Sequence, residues 1–396
     1  MRFLRWIAFL VVLAALAFVA RPYLRGLAFV VRAAGIQGTP GRLASMDASA
    51  AGEREFELPL AGGAVHARVY EPSPRRGRAA LLVPPIGAAG IDEPALVAMA
   101  RQLAASGLTI ITPAVPELAR YEIVPAATAA IEQTALWLSS ETALVPDGRI
   151  GLIGVGFSGG LAVVAAGRPT LSNRLAYVLT VGGHHDLPRV LRYLCTGTEP
   201  RPGNRIQLGA NTTDQDPTAF VQPPADAGLA MLLVGVAPRV VPAAQVQPLR
   251  DAVFRVLETM PRERTGEPGG GAGVQAAADT AKRAPEPSAT LLRYLAGRDL
   301  VHLGVRLLPH VAAYGGDAAL SPSRSPKPTA PVFLVHRSDD NIVPEVEAEY
   351  LAEELRGRSP VRMLISDVVP GGASGRTITP GDALKLAGFW GDLLSR

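Results

Sequence analysis

A serine set among glycines is the first group in this sequence whose surroundings favour chemistry. Ser158 lies in the run Gly156-Phe157-Ser158-Gly159-Gly160, which follows the apolar segment 149–155 without an intervening residue. Such a pattern predicts a buried strand, a sharp turn and a helix, because glycine tolerates the backbone angles and close contacts of a tight turn. A hydroxyl placed at that turn is a candidate nucleophile, provided that a base accepts its proton.

This motif and a second one resemble the α/β-hydrolase family. The run around Ser158 resembles the family's nucleophile elbow, and the segment from His336 to Pro344, with Asp339 and Asp340, resembles its acid-bearing loop. The resemblance implies the α/β-hydrolase fold. It also implies hydrolysis of ester or related acyl bonds through an acyl-serine, without a metal or another cofactor.

The resemblance further implies a role for each matching position. Ser158 would attack the substrate, and the N–H groups of Gly159 and of Ile86 or Gly87 would hold the oxyanion. Gly87 has an alternative role, which is to let the chain turn after two prolines. Asp340 would orient the base and stabilise it when the base is charged.

The base that this mechanism needs is missing from its expected place. The family carries a histidine between the last strand and the last helix, whereas this sequence has no histidine after His336. His184 and His185 follow the strand beside the elbow strand, and His302 and His310 lie farther along the chain. Two hypotheses follow. Either one of these histidines serves a hydrolase, or the chain is a degenerate hydrolase fold that acts as a binding or scaffold protein.

Apolar runs typical of buried strands alternate with amphipathic segments typical of helices. This rhythm predicts a doubly wound, mostly parallel α/β sheet interrupted by a mainly helical cap. The resemblance implies that this sheet is of the α/β-hydrolase type. Inside the cap, segment 261–288 is glycine-rich without an apolar period, which predicts a disordered loop. The predicted units are an N-terminal anchor (1–35), the first part of the core (36–187), the cap (188–330) and the second part of the core (331–396).

The N-terminal segment is apolar from Phe3 to Ala20 except for Arg5. A bilayer span needs ~20 residues, and a second apolar run from Leu27 to Ala34 favours a retained helix over a cleaved secretory signal. A helix lying in the membrane interface is a third alternative. We therefore expect anchoring in a bacterial inner membrane, with the domain in the periplasm or the cytoplasm. The alternative is a periplasmic or secreted protein after signal cleavage.

The net charge of +4 does not indicate binding to nucleic acid. Six arginines lie in residues 1–46, which contain no acid, so the rest of the chain carries a net charge of −2. The body of the chain is near neutral and offers no basic surface for a phosphate backbone, and the basic excess belongs to the N-terminal anchor. Cys195 is the only cysteine, which excludes an intrachain disulfide. The expected partners are a small-molecule acyl substrate or ligand and, through the N-terminal helix, the membrane.

Overall fold

The chain folds around one eight-stranded sheet in a computed structural model that describes residues 20–46, 48–60, 62–202, 219–265, 269–366 and 380–396. The strands of the described residues are Ala50–Leu60 (β1), Gly63–Ser73 (β2), Ala79–Val83 (β3), Thr109–Pro113 (β4), Ile150–Val155 (β5), Leu175–Val181 (β6), Thr198–Pro200 (β7), Ala219–Val221 (β8), Val332–His336 (β9) and Val361–Ile365 (β10). The large sheet has the order β1-β2-β4-β3-β5-β6-β9-β10, and β7 pairs with β8. Its β1–β2 and β2–β4 pairs are antiparallel and its other pairs are parallel, which confirms the predicted mostly parallel sheet.

Helices cover both faces of this sheet. In the described part of the chain they are residues 20–33 (α1), Thr39–Met46 (α2), Pro94–Ala105 (α3), Pro116–Ala119 (α4), Pro125–Ser140 (α5), Phe157–Ala166 (α6), Leu187–Thr196 (α7), Asp226–Val240 (α8), Ala243–Thr265 (α9), Ala272–Ala281 (α10), Ser288–Ala296 (α11), Leu300–Leu307 (α12), Val311–Gly315 (α13), Val346–Leu355 (α14) and Pro380–Ser395 (α15). Helices α1, α3 and α15 pack on one face, and α5, α6 and α14 pack on the other. This is the doubly wound arrangement that the sequence predicts.

The central strand β3 explains why the core has two layers. Leu81 and Val83 are buried in the layer of α5 and α6, whereas Ala80 and Leu82 are buried in the layer of α3 and α15. A strand covered on both faces has to be apolar at every position, so a continuous apolar run identifies it. The predicted bounds of β3 and β6 are accordingly confirmed.

Helix α1 packs directly against α15, which lies near the other end of the sequence. The rings of Phe29 and Trp390 have centroids 4.4 Å apart. A methyl group at Gly26 would overlap the Ala387 carbonyl, so the two backbones touch. The predicted unit 1–35 is therefore not separate from the core: from residue 20 onward it forms part of one layer.

The predicted apolar span from Phe3 to Ala20 lies outside the described residues except for its last residue. None of the helices described from residue 20 onward is both long enough and apolar enough to cross a bilayer. The membrane anchor therefore stays a prediction.

The interruption of the sheet consists mainly of helices, α7 to α13, as predicted. The predicted disorder of segment 261–288 is wrong for its described residues, because α9 continues to Thr265 and α10 follows at Ala272. Residues 266–268 lie outside the described residues.

Sequence analysis did not predict helix α10, because the buried side of this helix consists of small residues. Ala277 and Ala281 are buried. A methyl group at Gly273 would overlap the Arg255 carbonyl of α9, so the two helices pack backbone to backbone. Contacts of this kind need no large apolar side chains and leave a weak apolar period.

Candidate active site

The turn between β5 and α6 has the strained geometry that the sequence predicts. Gly156 joins the strand to the helix with φ +62° and ψ −135°, a strained backbone conformation that residues with a side chain rarely adopt. A methyl group at Gly154 would overlap the Ser158 carbonyl and lie 2.7 Å from Gly159 Cα. The strand and the helix thus cross so closely that position 154 has no room for a side chain.

Ser158 is the second residue of α6, and its side chain is fully buried. The Val155 N–H donates to its Oγ at 2.9 Å. The hydroxyl can donate to the carbonyl of Val155, at 2.8 Å, or to that of Val83, at 3.3 Å. The backbone therefore satisfies this hydroxyl on both sides. The prediction that the turn lifts the Ser158 hydroxyl above the sheet is wrong.

The residue that does project from the turn is Gly156. A methyl group there would meet no atom within 4 Å, so this position opens outward. In α/β-hydrolases the nucleophile occupies the strained strand-to-helix turn and is exposed at the top of the sheet. We therefore call residue 156 the crest position. The small-residue pattern that fits the turn is Gly154-Val155-Gly156-Phe157-Ser158, two residues earlier than the pattern centred on Ser158.

Two of the backbone donors predicted for an oxyanion hole already have acceptors. The Gly159 N–H donates to the Gly156 carbonyl at 2.8 Å, and the Gly87 N–H donates to the Leu118 carbonyl at 3.0 Å. The side chain of Ile86 is half-buried against the core. The predicted free N–H of Gly159 is therefore wrong, and the N–H of Gly87 helps to fix its loop.

The loop after β3 is also tied to the cap. A methyl group at Gly87 would lie 4.0 Å from the Tyr121 ring, and that ring stacks on Phe254 of α9 with centroids 5.7 Å apart. Arg250 of the same helix lies 3.0 Å from Glu122. A stacked pair and a partly buried ion pair thus hold this loop and the cap together.

Asp340 lies in the predicted loop after β9, and its carboxylate stabilises that loop. Its Oδ1 accepts hydrogen bonds from the N–H groups of Ile342 and Val343, both at 3.0 Å. Its Oδ2 lies 3.7 Å from His336 Nε2, which donates to the Val343 carbonyl at 2.7 Å. A methyl group at Gly182, just after β6, would lie 3.2 Å from Oδ2. The carboxylate thus faces the end of the neighbouring strand, and the predicted catalytic role of Asp340 stays a prediction.

His184 is fully buried and packs against α6. Its Nε2–H donates to the Leu320 carbonyl at 2.7 Å, and a methyl group at Gly160 would overlap its ring. Its other ring nitrogen has no hydrogen-bond partner among the described residues. Burial lowers the pKa of His184, so the ring is neutral. These contacts give His184 a packing role in place of the predicted role as a base.

His185 belongs to a partly buried group of ionisable side chains that we call the Arg189 cluster. Its members are His185, Arg189, Glu199, Glu347 and Glu354. His185 Nε2 contacts the Glu354 carboxylate, and His185 Nδ1 lies 3.1 Å from Arg189 Nη2. The His185 N–H donates to Glu347 at 2.5 Å. Both ring nitrogens are thus engaged within the cluster, and His185 is not joined to Ser158 or Asp340.

Two buried carboxyl groups share one arginine in this cluster. Arg189 Nε lies 2.8 Å from Glu199 Oε1 and 2.6 Å from Glu347 Oε1, and neither glutamate is more than 1% exposed. Burial, followed by the charge of Glu347, raises the pKa of Glu199 well above its usual value. Burial is the largest single influence on Glu347 and acts to raise its pKa, but the Arg189 charge, the hydrogen bond with Glu199 and smaller contributions together outweigh it and lower the pKa of Glu347 to about 2. Glu347 is therefore the ionised partner of Arg189, and Glu199 keeps its proton to higher pH.

His302 does not fill the place of the base either. His302 of α12 is exposed and donates to Asp299 at 2.8 Å. The segment between β10 and α15, where the resemblance places the base, lies outside the described residues from 367 to 379 and contains no histidine. From residue 20 onward, within the described ranges, no group of three or more His, Cys, Asp or Glu could hold a metal ion.

Solved structures similar to this chain include esterases and lipases. A hyperthermophilic esterase from the archaeon Pyrobaculum calidifontis shares 15% identity, with 96% of this chain and 92% of that chain covered and a TM-score of 0.42. A thermostable esterase from Pseudomonas putida shares 11% identity over 93% and 96% of the two chains, with a TM-score of 0.44. A lipase/esterase from Lactobacillus plantarum shares 13% identity over 86% and 95%, with a TM-score of 0.39. No protein-family model and no curated protein sequence matches the chain.

The predicted resemblance to the α/β-hydrolase family is confirmed at the level of the fold. The mostly parallel sheet, the strained turn after β5 and the acid-bearing loop after β9 stand where that fold requires them. Sequence analysis missed the crest position, because the motif pattern also matches when it is centred on Ser158, two residues after Gly156. The available signal was the end of β5 at Val155, since the nucleophile of an elbow is the first residue after its strand.

Proposed function

We propose that this protein is an α/β-hydrolase-fold protein without serine-hydrolase activity, which acts by binding a small molecule or a partner. The observation that carries the proposal is the crest position, which glycine occupies. A crest without a side chain offers no atom that can form an acyl intermediate. The buried and bonded hydroxyl of Ser158 supports the same conclusion, because a nucleophile has to reach the substrate.

The state of the histidines also supports the proposal. His184 packs in the core, and His185 is engaged in the Arg189 cluster. Removing the base of a serine triad leaves only the ~10³–10⁴-fold acceleration that binding and the oxyanion hole supply. Here the Gly159 N–H, one of the predicted oxyanion donors, is also engaged in the turn.

The test is labelling by a fluorophosphonate probe and turnover of a short-chain nitrophenyl ester, for the wild type beside Ser158→Ala. We expect neither protein to be labelled and both to match the uncatalysed rate. The variant should lose about 1–3 kcal/mol of stability, because the Val155 N–H loses its buried acceptor. Labelling and turnover that disappear in a folded Ser158→Ala protein would overturn the proposal and restore the hydrolase hypothesis.

We also propose that the apolar run from Phe3 to Ala20 attaches the protein to a membrane. The support is its length, its composition and the arginines that flank it. Incorporation of the full chain into lipid nanodiscs measures this attachment independently of any ligand binding.

A further inference from the structure

Exposed apolar side chains are concentrated on a few neighbouring elements. Of the eleven large apolar side chains that are exposed among the described residues, eight belong to α1, α2, the link between them, β10 and α15. They are Tyr23, Leu24, Leu27, Ile36, Leu43, Met46, Met363 and Leu384. Scattered single residues need no explanation, but a concentration of this kind marks an interaction surface.

Five of these side chains form a surface that we call the docking face: Tyr23, Leu24 and Leu27 of α1, Met363 of β10 and Leu384 of α15. Tyr23, Met363 and Leu384 line one shallow groove. Tyr23 also lies against α15, since a methyl group at Gly388 would be 3.2 Å from its ring. The docking face thus combines elements from opposite ends of the sequence.

The charge around the docking face is predominantly basic. Arg21 and Lys385 are exposed beside it, and residues 20–46 contain four arginines and no acid. Of the nearby acids in α15, Asp392 pairs with Arg362 at 2.8 Å. Asp382 is exposed in the first turn of the same helix. The excess of basic over acidic residues around the docking face complements a negatively charged partner.

The position of α1 identifies that partner. The apolar run from Phe3 ends at Ala20, which is the first described residue of α1. Tyr23, Leu24 and Leu27 therefore follow within two helical turns of the point at which the apolar run ends. Apolar side chains with a tyrosine and flanking basic residues fit the interface of a bilayer that contains anionic lipid.

We propose that the docking face binds the surface of a bilayer containing anionic phospholipid, so that the folded domain rests on the membrane. This proposal rests on the proposed attachment through Phe3 to Ala20. It goes further, because attachment alone would leave the docking face free in water. Leu384 distinguishes docking of the folded domain from attachment alone, because it lies on α15 and is far from the apolar run in sequence.

The experiment uses the full chain with Cys195→Ser and one added cysteine that carries an environment-sensitive fluorophore. Leu384→Cys places the fluorophore on the docking face, and Val301→Cys places it on α12 of the cap, where the native side chain is 73% exposed. Each protein is incorporated into nanodiscs of phosphatidylcholine, with or without phosphatidylglycerol. Lipids brominated near the headgroup then quench any fluorophore that enters the interface.

We expect quenching at 384 to be at least about two-fold stronger than at 301 in discs with phosphatidylglycerol. It should weaken in pure phosphatidylcholine and at high salt, because anionic lipid contributes roughly a five-fold change in association for each basic residue. In the 384 reporter, Arg21→Gln with Lys385→Gln should weaken quenching in the same way, and equal melting temperatures should show that all variants are folded.

Equal quenching at 384 and 301 in incorporated protein would overturn the docking proposal and leave the attachment intact. Failure of the full chain to enter nanodiscs would overturn the attachment and, with it, docking. Energy transfer between labels on two copies, without lipid quenching at 384, would assign the docking face to a second copy and also overturn the proposal. Quenching that is insensitive to lipid charge and to salt would refute the role of anionic lipid.

Discussion

The crest position and the Arg189 cluster each have one of two features that an active site needs. The crest position has the exposed geometry, and the Arg189 cluster has the reactive residue types. At the crest the backbone directs residue 156 into open space, and that residue is glycine. In the Arg189 cluster an imidazole, an arginine and buried carboxyl groups lie within hydrogen-bond distance, but they are packed between α7, β7 and α14. The difference teaches that reactive residue types and exposed geometry are separable, and that only their coincidence makes a catalyst.

If the cluster is structural, removing its central charge should have the largest effect. Arg189→Met leaves Glu199 and Glu347 buried without their cation, and we expect a loss of about 3–5 kcal/mol in the free energy of unfolding. Arg192→Met, on the exposed side of the same helix, is the matched control and should change stability by less than about 0.5 kcal/mol. Denaturant titration measures both, and equal losses would show that the cluster carries no special stability.

The exposure of the crest can be tested with thiols. Gly156→Cys should react with a water-soluble disulfide reagent at least about 100-fold faster than Ser158→Cys, because only the former thiol projects from the turn. The native Cys195 is a suitable background, since burial raises its pKa to about 12.

The strained backbone angles at residue 156 should cost Gly156→Cys about 1–3 kcal/mol, so both variants are compared below their melting temperatures. Equal reaction rates would contradict the assignment of the crest to residue 156.

The pH dependence of stability should distinguish the two glutamates, with a smaller effect. The pKa of Glu199 is raised above its ordinary value of 4.5, so its contribution to stability is fully present below pH 4.5 and is lost as the pH rises through the folded pKa. Glu199→Gln keeps the neutral form and should stay within about 1.5 kcal/mol of the wild type at pH 5.

The variant should then gain stability relative to the wild type as the pH rises from 5 to 9. Unfolding curves at several pH values measure the difference between the two proteins. A difference that stays constant over this range would mean that Glu199 is already ionised in the folded protein. The effect of pH on the contribution of Glu347 to stability has the opposite sign. Because its pKa is lowered to about 2, this contribution is present above pH 4.5 and is lost as the pH falls through the folded pKa.

The sequence predicts the fold well because the relevant signals are local. Continuous apolar runs mark strands buried on both faces, as at Leu81 and Leu82 of β3. The contacts of the candidate site residues could not be predicted in the same way, because their partners lie far away in the sequence. His184 bonds Leu320 and His185 bonds Glu354, and nothing in the sequence around either histidine indicates those partners. The register of the elbow failed for a further reason, since Gly154 and Ser158 are small residues with the same spacing as Gly156 and Gly160.

The packing of α1 against α15 has a consequence for synthesis. About 350 residues separate the two helices, and ribosomes add roughly 5–20 residues per second, so the two helices are made roughly 20–70 s apart. During that interval Phe29 and Val30 lack the α15 part of their layer, although both are buried in the finished protein. Helix α1, the first of the described helices to leave the ribosome, is thus among the last to reach its full set of neighbours, and its apolar side needs protection until then.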